Sequence, residues 1–589
     1  MKIMKQNSLY KLLIGLFCFV GLNACDITEF PYNSVTEDEL ASNPSSVEAV
    51  TLGSYSYMKT HVFHTAFEYN GEFASDNVVY SGQSTSSTFY VYNYQRIATN
   101  SVLTDLWTYS YKLIINCNKV ISTSQEKVTP EMDHLIGENY FLRAYYYHQL
   151  ACAFGKAYHI ASDADLCVPL KLSADENEYP DRATVKQVYE QIVKDLKKAE
   201  ELMGDSKIEK NVCYANVWAA KAMLSRVYLF MHKYEEAEEY ATDVIEHSGK
   251  RLLTNNQYRT MNELVPEANP EAIFAIRMLK DLDYDNSLTA VMYTTIQGEG
   301  WGEVYASLPL IRAFEKYPTD VRSTFIVPQY EPLAEDGTQP QELYFISENY
   351  FYNNSETPTR DPLHRTYYRF QPVKKVGADY VIEQDAAKDY FEFQSSKVLT
   401  REDGTFYVVA RQVYRNSVGA VVGRAEWVEY DVTIQNTMKK RNDYPKYFIN
   451  KCAYQEQQAL LYSPMLLRFS EMYLNRAEAR YYLNNQDGAI ADMNVIKERA
   501  GIPLYSQDND GELLDAILDE RRKEFYQESQ RRWDLFRNDK VIDRHYPGCH
   551  DRGAESAVVQ EIRVTDNCAV QYLPQSELDA YPIPLQQNP

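Results

Sequence analysis

The sequence predicts a mainly α-helical scaffold that carries a large, loop-rich and partly β insertion. Hydrophobic residues recur with helical spacing from about residue 130 to 250, and the same pattern returns after about residue 461. Between about 251 and 460 it gives way to short apolar runs, turns and many aromatic residues. A chain of 589 residues is long enough to bury a large core, and chains of this length usually divide into more than one domain.

The first helical region contains residues that begin and end helices. Thr129-Pro130 predicts an N-cap with a first-turn proline, and Gly155 predicts the end of that helix. Thr184 with Gln187 predicts a capping box, and His232-Lys233 predicts a turn between two helices. Such helix pairs resemble tetratricopeptide repeats, in which neighbouring helices bury each other's apolar faces.

The same signals return near the C-terminus. Asn484-Asn485 separates two predicted helices, Gly501 ends the second, and Asp510-Gly511-Glu512 begins a third that runs to about residue 529. Helices therefore bracket the insertion. Within the insertion, two alternating apolar stretches flank Asn416-Ser417 and predict a β-hairpin.

The start of the chain has the layout of a secretory signal peptide. Lysines accompany an apolar stretch, Leu9–Leu22, that is shorter than the roughly 20 residues a membrane-spanning helix needs. The closing residues, Leu22-Asn23-Ala24-Cys25, resemble the lipobox of bacterial lipoproteins, in which the cysteine is acylated after cleavage. We predict a lipid anchor on Cys25; the alternative is an ordinary cleaved signal that happens to contain a cysteine.

These features predict five segments. They are a signal peptide (1–24), a lipidated tether (25–40), an N-terminal region with helical repeats (41–250), the loop-rich insertion (251–460) and a C-terminal helical-repeat region (461–589).

The composition excludes some partners and favours others. Removing the three signal lysines lowers the formal charge from −23 to about −26, which disfavours nucleic acid because phosphate contacts rely on clustered basic residues. The chain has 50 tyrosines, 23 phenylalanines and 5 tryptophans, so many rings carry a hydroxyl group. Such rings suit sugar or peptide contacts, although packing between helices is the competing explanation for any single tyrosine.

The cysteine pattern does not predict a zinc site. No C-x-x-C motif occurs. Cys117, Cys152 and Cys213 lie in helical apolar patterns and are interpreted as core residues, whereas Cys549 and Cys568 could form a disulfide.

A pair of carboxylates suggests a catalytic site, and two groups of histidines suggest metal sites. Glu520 and Glu524 are one helical turn apart, and paired carboxylates suggest a glycosidase, but interleaved basic residues favour ion pairs on the helix surface and between helices. Two groups could contribute metal ligands but lack a complete set: His61 with His64, and His545 with Cys549, His550 and Asp551. We therefore predict no catalytic residue, metal or cofactor.

The leading candidate for ligand contact is Trp301 in the stretch QGEGWGEVY. A phosphate-binding loop lies between a buried strand and the start of a helix. The glycines of this stretch, Gly298, Gly300 and Gly302, do not have this context, so they do not form such a loop. We interpret them as a flexible mount for an exposed indole, whose flat face suits a pyranose ring.

A second aromatic loop adds further candidates. It contributes three tyrosines and, near its ends, three polar side chains: Tyr80, Tyr90, Tyr92, Asp76, Asn77 and Arg96.

Three stretches between residues 468 and 537 carry a family resemblance. RFSEMYLNRAEARYYL, NVIKERAGIP and DERRKEFYQESQRRWDLFR are similar to the SusD/RagB family of outer-membrane nutrient-binding lipoproteins. The resemblance extends over nearly the whole mature chain, through RATVKQVYEQIVKDLKKAEEL to the terminal YPIPLQQNP. The end departs from the family pattern, since no glycine and aromatic follow Asn588-Pro589, so no role is assigned there.

The resemblance implies a fold, a partner and a function. Family members have helical repeats that pack toward a SusC-like TonB-dependent transporter, and loops from the N-terminal region and the insertion that converge on one glycan site. We therefore expect a non-enzymatic, lipid-anchored protein at the exterior of the outer membrane that delivers oligosaccharide or polysaccharide to such a transporter. A peptide-binding member of the family, a glycoside hydrolase and a protein-binding adaptor are the alternatives.

Overall fold

The computed structural model describes residues 37–60, 69–81, 86–175, 177–284, 289–348, 350–351, 359–361, 363–416, 418–548 and 559–589. The predicted signal peptide and Cys25 lie outside the described residues, as do His61, His64, Cys549, His550 and Asp551.

The N-terminal region is built mainly from antiparallel helices. Its elements are α1 (Glu37–Ser42), α2 (Pro44–Met58), a π-helical turn (Tyr69–Phe73), β1 (Val78–Tyr80), α3 (Ser87–Tyr92), α4 (Ser101–Thr123), α5 (Pro130–Phe154), β2 (Leu166–Pro169), β3 (Arg182–Thr184), α6 (Val185–Ser206), α7 (Val217–Phe230), α8 (Tyr234–His247) and α9 (Asn255–Tyr258).

The predicted helix signals are confirmed in this region. The Thr129 hydroxyl accepts a hydrogen bond from the backbone N–H of Met132, and α5 ends at Gly155. Thr184 and Gln187 form a capping box at the start of α6. Each cap satisfies backbone groups that a helix end otherwise leaves unpaired.

Helix α5 is the centre of the helical core. It packs against α2, α4 and α6, and nearly every side chain from Met132 to Phe154 is buried. The consecutive residues Tyr145, Tyr146 and Tyr147 are all buried, and the Tyr147 hydroxyl donates to the Lys171 carbonyl at 2.8 Å. These tyrosines therefore hold helices and loops together.

Two of three cysteine assignments are confirmed. Cys117 in α4 and Cys152 in α5 are buried. Cys213 is half-buried and lies in a turn before α7, so its assignment to a helix is wrong.

The insertion contains most of the β structure. Its elements are β4 (Ala272–Ala275), β5 (Val304–Ala306), α10 (Leu308–Glu315), β6 (Ile326–Pro328), β7 (Gln341–Glu348), β8 (Tyr350–Phe351), β9 (Thr359–Arg360), β10 (Thr366–Val376), β11 (Asp379–Ile382), β12 (Phe391–Phe393), β13 (Leu399–Thr400), β14 (Phe406–Arg415), β15 (Val421–Arg424), β16 (Val428–Asn436), β17 (Lys440–Arg441), β18 (Tyr444–Pro445) and β19 (Tyr447–Ile449).

An eight-stranded antiparallel sheet dominates the insertion. The strand order is β11-β10-β7-β16-β14-β12, and β13 and β15 also pair with β14. The β14–β15 pairing, with Val413 opposite Arg424, confirms the predicted hairpin. One face of the sheet encloses a small core that includes Leu343, Phe345 and Val408.

The C-terminal region returns to helices. Its elements are β20 (Met465–Arg468), α11 (Phe469–Tyr482), α12 (Gln486–Ala500), α13 (Gln507–Asp510), α14 (Leu513–Phe525), α15 (Arg531–Arg537), β21 (Ile542–Asp543), β22 (Glu561–Ile562) and α16 (Gln575–Ala580). Short antiparallel pairs connect distant parts of the chain, such as β1 with β5 and β4 with β20. This architecture confirms the predicted helical scaffold with a partly β insertion.

One predicted helix is shorter than expected. Helix α14 ends at Phe525, and not near residue 529. The backbone N–H of Gln527 donates to the buried Glu72 carboxylate at 2.9 Å, and Gln527 and Ser529 have positive φ values of 61° and 60°. This long-range hydrogen bond ends the helix and allows α15 to start in a new direction.

A cluster of buried charges joins the insertion to the C-terminal region. We call it the Glu524 network, and it comprises Glu524 of α14, Glu271, Arg322, Arg468 and Arg499, all of which are buried. Arg468 bridges Glu271 and Glu524 at 2.7 and 2.9 Å, and Arg499 bridges the same two carboxylates at 2.8 and 2.5 Å. Arg322 contacts the second oxygen of Glu524 at 3.3 Å.

Within the described residues, no helix combines the length and the apolar character needed to cross a bilayer.

The Glu524 network predicts a large cost for removing one charge. Glu524→Gln should lower the free energy of unfolding by about 3–5 kcal/mol, because Arg322, Arg468 and Arg499 would each lose one carboxylate partner in a buried site. The midpoint of urea unfolding measures this effect. Glu561→Gln is the matched control, since its 2.7 Å pair with Arg563 is solvent-exposed and should change stability by less than about 1 kcal/mol. Equal midpoint shifts for the two variants would contradict the assignment.

The neighbouring carboxylate Glu520 predicts a dependence of stability on pH. Burial alone would favour its neutral form, but Arg322, Lys523 and Lys497 lower its pKa from 4.5 to about 2. Its stabilising effect is therefore complete above the unfolded-state pKa and is lost as pH falls from about 4.5 toward 2. Melting midpoints of wild type and Glu520→Gln should differ most at pH 7 and converge as the pH approaches 2; a constant difference would refute this origin.

Candidate functional site

The Trp301 loop, residues 293–303, enters strand β5 through a tight turn. Ile296 and Glu299 exchange two backbone hydrogen bonds of 3.0 and 2.9 Å around Gln297-Gly298. The φ values of Gln297 and Gly298 are 54° and 87°, the signs that a type I′ turn requires. Sequence analysis missed this turn, although glycine at its second position was the available signal.

Two further glycines allow close packing in the loop. At Gly300 (φ 96°), a Cβ atom would lie 2.3 Å from the Thr294 carbonyl oxygen. At Gly302 (φ 54°), it would lie 2.8 Å from the Phe448 ring. Only glycine fits both positions without a shift of neighbouring atoms. The glycines thus make a tightly packed mount, and the interpretation of a flexible mount is wrong.

Trp301 is fixed through its backbone while its ring faces solvent. Its N–H donates to the Val291 carbonyl at 2.7 Å, and 65% of the residue is exposed. Two ion-paired or hydrogen-bonded carboxylates flank it: Glu299 accepts from the Tyr284 hydroxyl, and Glu303 pairs with Arg441 at 2.9 Å. The loop therefore presents an apolar ring between polar groups.

Strand pairing brings the second aromatic loop to the Trp301 loop. Tyr80 at the end of β1 lies opposite Val304 of β5. The Ser81 N–H and hydroxyl both donate to the Glu303 carbonyl, at 2.7 and 2.8 Å. Asn442 donates to the Ser81 carbonyl at 2.9 Å. The two segments singled out in the sequence thus meet at their β strands; residues 82–85 lie outside the described part of the chain.

The predicted tyrosine contacts differ in exposure. Tyr80, Phe89 and Tyr92 form a ring cluster with centroid separations of 5.8 to 6.0 Å, and Tyr80 and Tyr92 are buried. Tyr90 is half-buried. Tyr80 and Tyr92 pack in the interior, as the competing explanation held, so neither belongs to the surface that we propose below.

Asp76 and Asn77 connect β1 to the C-terminal helices. The buried Asp76 carboxylate pairs with Arg522 of α14 and, at 2.8 Å, with Arg531 of α15. Burial opposes ionisation, but the two guanidinium groups outweigh it and hold the pKa of Asp76 well below its usual range. The buried Asn77 side chain donates to Glu72 at 3.0 Å and accepts from Arg522 at 3.1 Å. Both residues position the strand and do not face a ligand-accessible surface.

Arg96 contacts the C-terminal segment. Its guanidinium donates to the Pro589 carbonyl at 2.6 Å and lies 4.2 Å from the Tyr572 ring centroid. Both of these contacts are with residues near the end of the chain, and neither involves the Trp301 loop.

The two carboxylates considered for catalysis are committed to ion pairs. Glu520 contacts Arg322 at 2.6 Å and Lys523 at 3.0 Å, and Glu524 belongs to the Glu524 network. The expected ion pairing is confirmed, but the expected helix-surface location is wrong because both are buried. A general acid needs a raised pKa, whereas the pKa of each is lowered.

The described part of the chain contains no group of three or more potential metal ligands. His545 is paired with Asp543 at 2.7 Å, and the other histidine candidates lie outside the described residues.

Comparison with protein families covers most of the chain. Residues 29–229 match a SusD-like family model described as "starch-binding associating with outer membrane", and residues 270–588 match the SusD family model. A curated relative, SusD-like protein P38 of Formosa agariphila, is 22% identical over 542 residues, which span 89% of this chain and 90% of the relative.

Solved structures share the fold. A SusD superfamily protein from Bacteroides thetaiotaomicron aligns with a TM-score of 0.66 at 21% identity, over 94% of this chain and 100% of its own. A putative sugar binding protein from Bacteroides vulgatus gives 0.64 at 23% identity, over 93% and 98%. Surface glycan-binding protein A from B. thetaiotaomicron, solved with laminarihexaose, gives 0.59 at 16% identity, over 92% and 99%. By its sequence match across more than half its length and by its fold, this chain belongs to the SusD family.

Proposed function

We propose that this protein binds oligosaccharide or polysaccharide at the cell surface through the Trp301 loop. The observation that carries the proposal is the exposed indole of Trp301 on a mount whose conformation is set by glycines and backbone hydrogen bonds. A preorganised ring loses little conformational freedom when a ligand binds. Its apolar face suits the C–H face of a pyranose.

Polar groups beside the ring suit the hydroxyl groups of a sugar. The Glu303–Arg441 pair and the Glu299–Tyr284 pair lie within two residues of Trp301 along the loop. Partly exposed carboxylates and guanidinium groups can accept and donate hydrogen bonds at fixed positions. Family relatives support the same ligand class, since one is solved with laminarihexaose and one family description names starch.

We further propose that the protein is lipid-anchored in the outer membrane through Cys25 and delivers its ligand to a SusC-like TonB-dependent transporter. The family description associates these proteins with the outer membrane, and the lipobox-like sequence ends at Cys25. We assign no enzymatic role, because the only carboxylate pair that the sequence suggested is buried in ion pairs.

Trp301→Ala should weaken binding of the recognised glycan by on the order of tenfold or more, because the indole supplies the stacking face. Affinity electrophoresis against a panel of polysaccharides identifies the ligand, and calorimetry measures its dissociation constant. Gly300→Ala keeps the indole but clashes with the Thr294 carbonyl, so it should also weaken binding.

Leu333→Ala is the matched control for these variants. Its side chain is 61% exposed, close to the value for Trp301, and lies outside the Trp301 loop. It should leave affinity within about twofold, which corresponds to under 1 kcal/mol. Unchanged glycan affinity in Trp301→Ala would contradict the proposed site, and binding of cationic peptides with no binding of glycans would favour the peptide alternative.

Cys25→Ala should give a folded, soluble protein that binds its glycan normally but no longer supports uptake by cells. The reason is that a lipid anchor restricts the protein to the membrane surface where a transporter could receive the ligand. Growth on the recognised glycan as sole carbon source measures uptake. Normal growth of cells expressing only the Cys25→Ala variant would refute the role of the anchor.

A further inference from the structure

A second surface with exposed aromatic rings lies on the large sheet of the insertion. We call it the Tyr390–Trp427 face, and it comprises Tyr390, Glu392, Arg411, Arg424 and Trp427. Tyr390 is 65% exposed and Trp427 is 41% exposed. Neither ring was singled out in the sequence, because they are 37 positions apart, one just before β12 and the other just before β16.

Strand register places these side chains on one face. Glu392 of β12 lies directly opposite Arg411 of β14. Tyr390 lies in a bend immediately before β12, and its carbonyl accepts from the Val413 N–H at 2.8 Å, so the residue stays paired to β14. The Arg411 guanidinium lies 4.4 Å from the centroid of the Trp427 ring.

The opposite face of the same strands already forms the core of the sheet. Phe391, Phe393 and Ala410 alternate with the surface residues and are buried in that core. The Tyr390 and Trp427 rings therefore contribute nothing to that core, and each offers apolar ring surface that suits contact with a sugar.

The spacing of the rings fits an extended ligand. Tyr390 and Trp427 are separated by strand β14 and offset by two residues along it. With strands about 4.8 Å apart and about 3.4 Å per residue, the backbone positions of the two residues are roughly 12 Å apart. That distance suits a short run of linked sugar residues and exceeds a single ring.

The charges between the rings favour an acidic ligand. Arg411 and Arg424 both donate to Glu392, at 2.8 and 2.9 Å, so two guanidinium groups share one carboxylate. The five residues carry a formal charge of +1, from two arginines and one glutamate, while Asp389 and Glu426 adjoin Tyr390 and Trp427 along the chain. Guanidinium N–H groups that face solvent bind oxyanions well.

We propose that the Tyr390–Trp427 face is a second glycan-binding surface, which holds an extended glycan segment bearing oxyanion groups. The oxyanion is a uronate carboxylate or a sulfate ester, which present the same chemistry to the arginines. The inference rests on the proposed glycan-binding function in its ligand class, but it uses different residues from the Trp301 loop.

The test compares polyanionic polysaccharides with neutral counterparts. Polygalacturonate and its methyl-esterified form probe uronate recognition, and dextran sulfate and dextran probe sulfate recognition, each by affinity electrophoresis of the full mature chain. Wild type should bind at least one anionic polymer tenfold or more tightly than its neutral counterpart. Non-specific attraction is disfavoured, because the chain as a whole repels polyanions.

Variants assign the binding to this face. The double variant Tyr390→Ala/Trp427→Ala should weaken anionic binding at least tenfold, and Arg424→Gln should reduce the preference over the neutral polymer. Val376→Ala, on the same sheet and 55% exposed, is the control that should change nothing, with melting midpoints confirming that each variant folds.

The outcomes separate this proposal from the function of the Trp301 loop. Trp301→Ala should leave the affinity for anionic polymers at this face within about threefold. The same substitution should weaken binding of the glycan that the Trp301 loop recognises. The proposal is overturned if wild type binds neither anionic polymer, if the neutral polymers bind equally well, or if the folded double variant retains wild-type affinity.

Discussion

The Glu524 network is the interaction on which the arrangement of the molecule depends. Its five charges come from the helical C-terminal region, from β20, and from two places in the insertion that are far apart in sequence. Burying ions is costly, and the cost is offset only when each carboxylate is shared by well-placed guanidinium groups. Because that geometry admits one arrangement, the network fixes the insertion against the helices.

The same helix transmits this order to the candidate binding surface. Arg522 of α14 lies two residues before Glu524 and pairs with Asp76, immediately before β1. Strand β1 pairs with β5, and β5 continues directly from the Trp301 loop. Residues far from any ligand thus hold the exposed indole in place, which is the usual division between a rigid scaffold and a binding loop.

Local signals predicted the helices well, and long-range contacts explain what was missed. The caps at Thr129 and Thr184 act within one helical turn, so sequence alone revealed them. By contrast, Arg441 meets Glu303 across 138 residues and Arg522 meets Asp76 across 446, so no local pattern predicts that Asp76 is buried. Exposure of Trp301 was predictable because glycines surround it, whereas the burial of Tyr80 in β1 and of Tyr92 in α3 depends on the tertiary fold.

The central claim is that glycan stacks on Trp301, and a crystal structure of the mature chain with its tightest-binding oligosaccharide tests it most directly. The account predicts a sugar ring in parallel contact with the indole, with hydroxyl groups within hydrogen-bonding distance of Arg441 or Glu299. An oligosaccharide bound elsewhere, with the Trp301 ring still open to solvent, would contradict it.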